Sequence, residues 1–279
     1  MLKDKVNQLF EEQLTNWPLA KNNYCVLKHV KVKTLEVNAC RFLVQFNPAR
    51  IITSAAKVDP KSISERPCFL CSVNRPAEQS GIPFKDDYQI LVNPYPIFPM
   101  HFTIPTNEHT PQLIASRYGD MLDLALQLDD FIVFYNGPKA GASAPDHFHF
   151  QAGNKGVLPV ETTQNWNNAI YIQSGNKHEM VHRFEQIYHS LPLQPDETEP
   201  KLNILAWCEN QNLKTYIFPR KKHRPACFFA EGDDNMLISP AAVDLSGVLI
   251  TPLEKDFERI TGKMIENILK EICYPDQFK

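Results

Sequence analysis

The hydrophobic positions along the chain repeat with a helical period in several segments. In the opening segment these positions are Val6, Leu9, Phe10 and Leu14. Their spacing predicts an amphipathic helix at the N-terminus. The same kind of pattern predicts helices over residues 111–129, 178–191 and 253–272.

Other segments alternate apolar and polar residues and are rich in Val, Phe and Leu, which predicts strands. They cover residues 24–32, 38–46, 88–92, 101–105, 131–135, 147–152, 169–173, 203–208, 214–219, 226–230 and 241–249. Helices and strands occur in runs without strict alternation, so we expect an α+β fold with a mainly antiparallel sheet and flanking helices. A similar order of strand then helix in both parts predicts two units, residues 1–160 and 161–279.

Composition and charge narrow the class of protein. The chain has 279 residues, of which 43% are hydrophobic and 22% charged, so a folded protein with a sizeable core is expected. A formal net charge of −3 speaks against electrostatic binding to nucleic acid or to an acidic membrane. No apolar run approaches the roughly 18 residues of a membrane span. The absence of a signal-peptide pattern and the odd count of seven cysteines favour a cytoplasmic protein without a disulfide framework.

Two histidines and a glutamine alternate along the strand predicted at residues 147–152. On a strand, His147, His149 and Gln151 share one face, while Phe148 and Phe150 point to the opposite face. The simpler interpretation is a partly exposed strand with polar residues. A neutral imidazole is also a competent nucleophile towards phosphorus near pH 7, because its ordinary pKa is about 6.5.

The loop before this strand has the composition of an anion-binding turn. It reads Asn136-Gly-Pro-Lys-Ala-Gly-Ala-Ser143. Small residues such as Gly141 let backbone N–H groups approach an anion, and Lys139 can neutralise phosphate charge. Asn136 and Ser143 can donate hydrogen bonds. Such loops are usually plain turns, but its position directly before two histidines predicts phosphate chemistry.

Residues 135–151, YNGPKAGASAPDHFHFQ, resemble the active-site signature of the transferase branch of the histidine-triad superfamily. This branch includes galactose-1-phosphate uridylyltransferases, dinucleoside tetraphosphate phosphorylases and GDP-hexose phosphorylases. The resemblance implies a histidine-triad-like fold, packed from two similar halves. It also implies that His149 is the nucleophile and that Gln151 bonds the transferred phosphoryl group. Hydrolases of the superfamily have a third histidine there, so Gln151 favours transfer. One departure is Asp146, an extra residue that makes the role of Ser143 towards the leaving group less certain.

Four residues could form a metal site. Cys68-x-x-Cys71 alone is a weak pattern that also fits a redox pair or two inert thiols. Tetrahedral zinc would need two more ligands, for which His109 and His147 are candidates. Bacterial uridylyltransferases of the same branch have a Cys-x-x-Cys, a later His and the first His of the signature as zinc ligands. The resemblance therefore implies a structural zinc site, and no organic cofactor is expected.

Less specific segments bear on the substrate. Residues 239–247 and 254–258 resemble the C-terminal part of GDP-hexose phosphorylases, and residues 93–105 resemble the segment that leads into the strand before His109. Asn93 and His101 are thereby predicted near the site, although a backbone-bonded His101 is equally expected. The basic run 219–225 predicts a solvated hairpin or, alternatively, a phosphate contact. Arg50 and Arg75 are further candidates for phosphate contact, or for surface ion pairs.

The leading hypothesis is a nucleotidyltransferase or phosphorylase that forms a covalent nucleotidyl-histidine at His149. The favoured donor is a GDP-hexose, with phosphate or a sugar phosphate as acceptor. The alternatives are dinucleoside tetraphosphate phosphorolysis (ATP adenylyltransferase activity) and hexose-1-phosphate uridylyl transfer. A hydrolase and a non-catalytic, zinc-stabilised nucleotide-binding module are further alternatives. A homodimer is compatible with the resemblance, because active sites shared across a dimer are common in the superfamily.

Overall fold

The fold is built on two sheets, which the computed structural model describes over residues 1–163 and 165–275. The strands are β1 (Lys31–Val37), β2 (Cys40–Phe46), β3 (Gly81–Phe84), β4 (Tyr88–Val92), β5 (His101–Pro105), β6 (Phe131–Asn136), β7 (His149–Asn154), β8 (Ile170–Ser174), β9 (Leu202–Glu209), β10 (Asn212–Pro219) and β11 (Val248–Thr251). The large sheet has the order β3-β4-β5-β7-β6-β9-β10-β8, and each neighbouring pair in it is antiparallel.

Helices cover the two faces of the large sheet. They are α1 (Leu2–Asn16), α2 (Pro18–Leu27), α3 (Ile51–Ser54), α4 (Pro60–Glu65), α5 (Tyr118–Gln127), α6 (Lys177–Ser190), α7 (Ala226–Phe229), α8 (Ala242–Leu245), α9 (Glu254–Arg259) and α10 (Gly262–Ile272). One face packs against α1, α2, α5 and α6. The other packs against α8, α10 and the small sheet β1-β2-β11. The expected α+β fold with a mainly antiparallel sheet and flanking helices is confirmed.

Strand alternation supplies the two hydrophobic cores. In β6, Val133 and Tyr135 belong to the core under α5 and α6, while Ile132 and Phe134 belong to the core on the opposite face. Side chains alternate because successive residues of a strand point to opposite faces. The same alternation in β7 places Phe150 in the first core and turns its polar neighbours towards the second face.

A tight hairpin and a returning strand form the small sheet. Asn38 and Ala39 both have positive φ, 49° and 63°, and join β1 to β2 in a two-residue turn. In β2, Cys40, Phe42 and Val44 alternate inward. Strand β11 pairs with β2 in parallel. This pairing brings the C-terminal segment against the N-terminal one.

Several predicted elements differ from the structure. Residues 24–27 end helix α2 instead of starting a strand, because Pro18 opens the helix and Ala20 and Tyr24 are buried along one side of it. The predicted strand at 226–230 is the short helix α7. The segment 241–249 contains α8 before the strand β11, and the closing helix is divided into α9 and α10.

The large sheet crosses the predicted boundary at residue 160. Strands β3 to β7 come from before it and β8 to β10 from after it, with β6 and β9 paired at the junction. The two-unit division stays a prediction, and its last residues, 276–279, lie outside the described part. No helix within residues 1–163 and 165–275 has the length and apolar character needed to cross a membrane. All seven cysteines lie in that part, and none of them forms a disulfide.

Candidate active site

A cavity of about 720 Å³ opens on the face of β7 that carries His149 and Gln151. Its walls come from five parts of the chain, residues 17–19, 50–79, 91–103, 134–151 and 223–250. This volume is in the range of small-molecule sites. The cavity therefore places the two polar residues of β7 where a bound molecule can reach them.

The nucleophile candidate His149 is held in one tautomer. Its side chain is only 4% exposed, and its Nδ1 donates to the carbonyl oxygen of His147 over 2.9 Å. The backbone N–H of His149 donates to Oε1 of the buried Gln112 over 2.7 Å. Burial lowers the pKa of the His149 imidazole to about 4, so the ring is neutral at physiological pH. With the proton on Nδ1, Nε2 keeps a free lone pair.

A second buried histidine orients the amide of Gln151. The His101 side chain is fully buried, and burial lowers its pKa to about 3. Its Nδ1 accepts the backbone N–H of Ile97 over 3.3 Å, so the proton is on Nε2, which donates to Oε1 of Gln151 over 3.0 Å. The oxygen of the Gln151 amide is thereby occupied, and its NH₂ group is the part available to the cavity.

The loop 136–143 is locked against the C-terminal segment. Oδ1 of Asn136 accepts from the backbone N–H of Ala242 over 2.9 Å and from Nδ2 of Asn203 over 2.8 Å. Gly141 has φ of +103°, and a Cβ at this position would lie 2.7 Å from the Cβ of Ala241. Close packing of two backbones therefore requires glycine here. Asn136, Gly141 and Ser143 all line the cavity.

Two residues that were predicted to bind the nucleotide or its phosphates make other contacts in the structure. Lys139 is not among the residues that line the cavity, and it forms ion pairs with Asp196 (3.1 Å) and Glu197 (3.2 Å). Asn93 does line the cavity, but its amide is held by Oγ1 of Thr103 (2.9 Å) and the backbone N–H of Tyr95 (2.9 Å). Asn93 therefore shapes the wall.

The two cysteines and two histidines of the predicted metal site lie together. Their ligand atoms are all within 4.8 Å of one another. Sγ of Cys68 is 3.4 Å from Nδ1 of His147, and Sγ of Cys71 is 3.5 Å from the same nitrogen and 3.2 Å from Nδ1 of His109. Tetrahedral zinc with bonds of about 2.0–2.3 Å separates its ligands by about 3.3–3.8 Å. Two thiols and two imidazoles at these distances fit such an ion.

Arginines supply the positive charge of the cavity. Nη1 of Arg50 donates to the carbonyl of Tyr95 over 2.8 Å, while its buried Nε has no hydrogen-bond partner within the described residues. Burial lowers the pKa of Arg50 to about 10, so it stays charged at neutral pH. Arg66 and Arg224 also line the cavity. Arg75, by contrast, donates to the carbonyl of Leu70 and braces the cysteine loop.

Sequence reasoning missed two residues of this site. Arg66 was not singled out, since an isolated arginine in a loop carries no pattern, whereas Arg224 belongs to the basic run 219–225, for which a phosphate contact was the alternative. Gln112 was placed in a predicted helix, yet its Nε2 bonds the carbonyl oxygens of Asn136 and His149 at 3.0 Å each. Gln112 thus ties the loop 136–143 to the catalytic strand. The only signal in the sequence is that Gln112 is a polar residue directly before the apolar pair Leu113 and Ile114.

Relatives of known identity have the same fold. Protein APA1 of Saccharomyces cerevisiae is 24% identical over 236 residues, covering 68% of this chain and 70% of that protein. Diadenosine 5',5'''-P1,P4-tetraphosphate phosphorylase 2 of the same yeast is 25% identical over 167 residues, covering 54% of this chain and half of that protein. The crystal structure of yeast Ap4A phosphorylase Apa2 superposes with a TM-score of 0.62 at 14% identity, covering 92% of this chain and 96% of that chain. Its complex with Ap4A gives a TM-score of 0.61 and covers 97% and 98%.

The structural comparison supports the fold: over 92% of its length the chain superposes on yeast Ap4A phosphorylase Apa2. The sequence profile described as "Domain of unknown function (DUF4922)" matches residues 9–154, just over half of the chain. That range contains the four candidate metal ligands, the loop 136–143 and the strand with His149 and Gln151. The chain therefore belongs to the DUF4922 family, and its fold is that of yeast Ap4A phosphorylase.

Proposed function

We propose that the chain is a nucleotidyl-transferring phosphorylase that cleaves a dinucleoside tetraphosphate through a covalent nucleotidyl-His149. The observation that carries the proposal is the buried imidazole of His149, whose Nδ1 is bonded to the His147 carbonyl at 2.9 Å. This bond leaves Nε2 as the only nucleophilic atom of the ring. Gln151, two residues on, lies on the same face of β7 and lines the same cavity.

The reaction takes place in two displacements on one phosphorus. Nε2 of His149 attacks the phosphorus next to one nucleoside, a P–N bond forms, and the bond to the bridging oxygen breaks. Diadenosine tetraphosphate thus releases ATP and leaves an adenylyl group on the histidine. An oxygen of inorganic phosphate then attacks the same phosphorus and breaks the P–N bond, which releases ADP and restores Nε2.

The residues around the nucleophile stabilise charge on the phosphoryl oxygens. The NH₂ of Gln151 is directed to the cavity because its oxygen is bonded to His101. The backbone N–H groups of the loop at Gly141 and Ser143 add hydrogen-bond donors, and the hydroxyl of Ser143 donates to the leaving group. Arg50 and Arg66 add positive charge for the phosphate chain. A neutral imidazole attacks without first losing a proton, since its lone pair is already free.

A dinucleotide substrate has better support than a GDP-hexose. One yeast relative is named a diadenosine tetraphosphate phosphorylase, and the solved structure that superposes on the chain is titled as a yeast Ap4A phosphorylase. These names do not support the sequence-based preference for a GDP-hexose. Several cationic side chains in one cavity also suit a chain of four phosphates better than a diphosphate-sugar.

We further propose that Cys68, Cys71, His109 and His147 hold a structural zinc ion. The distances between their ligand atoms fit a tetrahedral ion, and none of these side chains needs a different partner for its ligand atom. The ion would tie the 68–71 loop to the start of the catalytic strand. It takes no part in the displacements, which belong to His149.

Intact-mass spectrometry tests the proposed function directly. The purified protein is mixed separately with diadenosine tetraphosphate, GDP-glucose and UDP-glucose without phosphate. We expect an AMP adduct from the first, absent in His149→Asn and present in His182→Asn, which alters an exposed histidine on α6. Added phosphate should remove the adduct and release ADP.

The other outcomes identify which part of the proposal is wrong. An adduct only from GDP-glucose or UDP-glucose would keep the mechanism and replace the substrate. Free mononucleotide formed without phosphate would indicate a hydrolase. No adduct and no phosphate-dependent turnover with any of the three would contradict the enzymatic function and favour a binding module.

A further inference from the structure

Asp146 lies between the metal cluster and the cavity. It is the residue that the chain has in addition to the transferase signature. Its side chain is 19% exposed, and its two carboxylate oxygens face different partners. Oδ2 faces His109 of the metal cluster, and Oδ1 faces Arg66 of the cavity wall. Neither contact is needed for the chemistry of His149, so the two contacts of Asp146 require a separate explanation.

The second ring nitrogen of each histidine of the cluster faces an oxygen atom, through a hydrogen bond in His147 and at a longer distance in His109. Nδ1 of His147 faces the thiols, and its Nε2 lies 2.9 Å from the carbonyl oxygen of Thr106. Nδ1 of His109 faces Cys71, and its Nε2 lies 3.5 Å from Oδ2 of Asp146. An acceptor at the second nitrogen fixes the tautomer that leaves Nδ1 free for a metal, and a carboxylate also makes the ring a stronger ligand.

His109 has the greater need of such a partner. Its side chain is 45% exposed and lies in a loop, whereas His147 is fully buried at the start of the catalytic strand. An exposed ring on a loop loses conformational freedom when it binds a metal. The carboxylate of Asp146 reduces that loss by holding the ring in place beforehand.

The other oxygen of Asp146 positions a cavity arginine. Oδ1 lies 2.9 Å from Nη2 of Arg66, whose side chain is 24% exposed. The same Nη2 lies 3.4 Å from the carbonyl oxygen of Ser143, and the guanidinium stacks over the Phe69 ring at 5.1 Å. Nη1 of Arg66 is buried and has no hydrogen-bond partner among residues 1–163 and 165–275. A fixed guanidinium with one unused donor beside the loop 136–143 is suited to an anionic oxygen.

We propose that Asp146 is a positioning residue with two tasks. It strengthens metal binding through His109, and it holds Arg66 as a donor to the phosphate chain of the substrate. The inference rests on the proposed metal site and on the proposed polyphosphate substrate. It joins them through one carboxylate. A plain surface ion pair would leave both the metal affinity and the anion affinity unchanged, because exposed pairs contribute little.

Three substitutions separate the two tasks. Asp146→Asn keeps the shape and removes the charge, and Arg66→Gln removes the guanidinium with its ion pair but leaves the carboxylate of Asp146 opposite His109. Glu108→Gln is the matched control, because Glu108 is an exposed carboxylate next to His109 in the chain. Zinc affinity is measured on the full chain by competition with a chromogenic chelator. Binding of inorganic tripolyphosphate to the zinc-loaded protein is measured by calorimetry.

The expected results form a distinct pattern. Asp146→Asn should weaken zinc binding by about 10–100-fold and tripolyphosphate binding by about tenfold. Arg66→Gln should leave zinc affinity within about threefold and weaken tripolyphosphate binding by about tenfold. Glu108→Gln should change neither. Cobalt-substituted protein should keep the absorption bands of a two-sulfur, two-nitrogen tetrahedral site in all three variants.

Each contrary result overturns the inference at an identified point. Unchanged zinc affinity in Asp146→Asn excludes the first task, and unchanged tripolyphosphate affinity excludes the second. Should Asp146→Asn not fold, Asp146→Glu takes its place, because the displaced carboxylate should still weaken zinc binding. Wild-type protein that binds no zinc overturns the inference together with the metal site. The adduct experiment on His149 still judges the phosphorylase independently.

Discussion

The carbonyl oxygen of His147 lies 2.9 Å from Nδ1 of His149, so the first histidine of the pair fixes the tautomer of the second. His147 is itself held from two sides. Its Nε2 lies 2.9 Å from the carbonyl of Thr106, and its Nδ1 lies 3.4 Å from Sγ of Cys68. The orientation of His149, the proposed nucleophile, is therefore linked through one residue to the proposed metal ligands.

Metal removal should lower both stability and reactivity. A chelator that extracts zinc would free the side chain of His147 on one side and detach the 68–71 loop. We expect the melting temperature to fall by about 5 °C or more and adduct formation at His149 to slow. Differential scanning fluorimetry and intact-mass time courses measure the two effects. Zinc should restore both, and a Cys68→Ser/Cys71→Ser variant should not respond to the chelator. A melting temperature that ignores the chelator in the wild-type protein contradicts the metal site.

His101 should affect catalysis through Gln151. Leucine at this position removes the Nε2–H that holds the Gln151 oxygen, so the amide can turn the wrong group to the phosphoryl oxygens. We expect His101→Leu to slow adduct formation by about tenfold or more. In a Gln151→Ala background the same change should cost less than about twofold, because the two residues act as one unit. The control is Phe98→Leu, which alters a ring packed on His101 at 5.4 Å. Phe98→Leu should slow adduct formation by the same factor in both backgrounds. If His101 had a purely structural role, His101→Leu would also slow adduct formation by the same factor in both backgrounds.

Two glycines with positive φ should respond differently to alanine. Gly141 has φ of +103° and an added Cβ would meet the Cβ of Ala241 at 2.7 Å, whereas Gly156 has φ of +82° and nothing within 4 Å. Gly156→Ala should lower the free energy of unfolding by about 1 kcal/mol, the cost of the left-handed backbone alone. Gly141→Ala should lower it by about 2–4 kcal/mol and slow adduct formation, because the loop must move away from α8. Urea denaturation compares the pair, and equal losses would show that the contact with Ala241 has no energetic weight.

Lys139 should be nearly dispensable although it lies in the loop 136–143. Its side chain is 50% exposed, and its amino group is paired with Asp196 and Glu197. We expect Lys139→Ala to change the KM for diadenosine tetraphosphate by less than about threefold, as for an exposed pair. Arg50→Gln should raise the KM by about tenfold or more, because its buried Nε is a charged donor in the cavity wall. A larger effect from Lys139 would mean that its amino group leaves the acidic residues to bind substrate.

The catalytic strand could be predicted from the sequence because its period of two decides which residues share a face. His149 and Gln151 were assigned to one face, and Phe150 to the other, from spacing alone. The cysteine pair and His109 were identified by residue type, and the fold brings their ligand atoms within 4.8 Å. The strand pattern needs only neighbouring residues, whereas the cysteine pair and the two histidines were linked by residue type and by the resemblance, because 79 positions separate Cys68 from His147.

Long-range partners could not be predicted in the same way. Arg66 reaches Asp146 across 80 positions, and Lys139 reaches Asp196 across 57. Single charged residues in loops give no pattern that would pair them. Residues 24–27 have strand-forming side chains, yet tertiary packing of Tyr24 places them in a helix. The cavity depends on contacts of this second kind, so Arg66 emerges only from the structure, whereas Arg50 and the basic run with Arg224 were already candidates.

Glu199 should make the protein less stable as the pH rises. Its side chain is 4% exposed, and burial raises its pKa from 4.5 to about 7. The hydroxyl of Tyr135 contacts both Oε1 of Glu199 and the carbonyl of Gln112, and it has one hydrogen for two acceptors. A protonated Glu199 resolves this conflict by donating to the hydroxyl, while its Oε2 accepts the backbone N–H of Ile114 over 2.9 Å.

The sign of the pH dependence follows from the raised pKa. The folded protein binds this proton more tightly than the unfolded chain does, so the contribution to stability is complete below about pH 4.5 and is lost as the pH rises through about 7. Glu199→Gln reproduces the protonated form, since its amide can donate to Tyr135 and accept from Ile114. Relative to wild type, this variant should therefore gain on the order of 2–3 kcal/mol of unfolding free energy between pH 5 and pH 8. Urea denaturation at several pH values measures the gain, and Glu185→Gln on the exposed side of α6 is the control. Parallel stability curves for wild type and Glu199→Gln would show that the carboxyl group is ionised in the folded protein throughout this range.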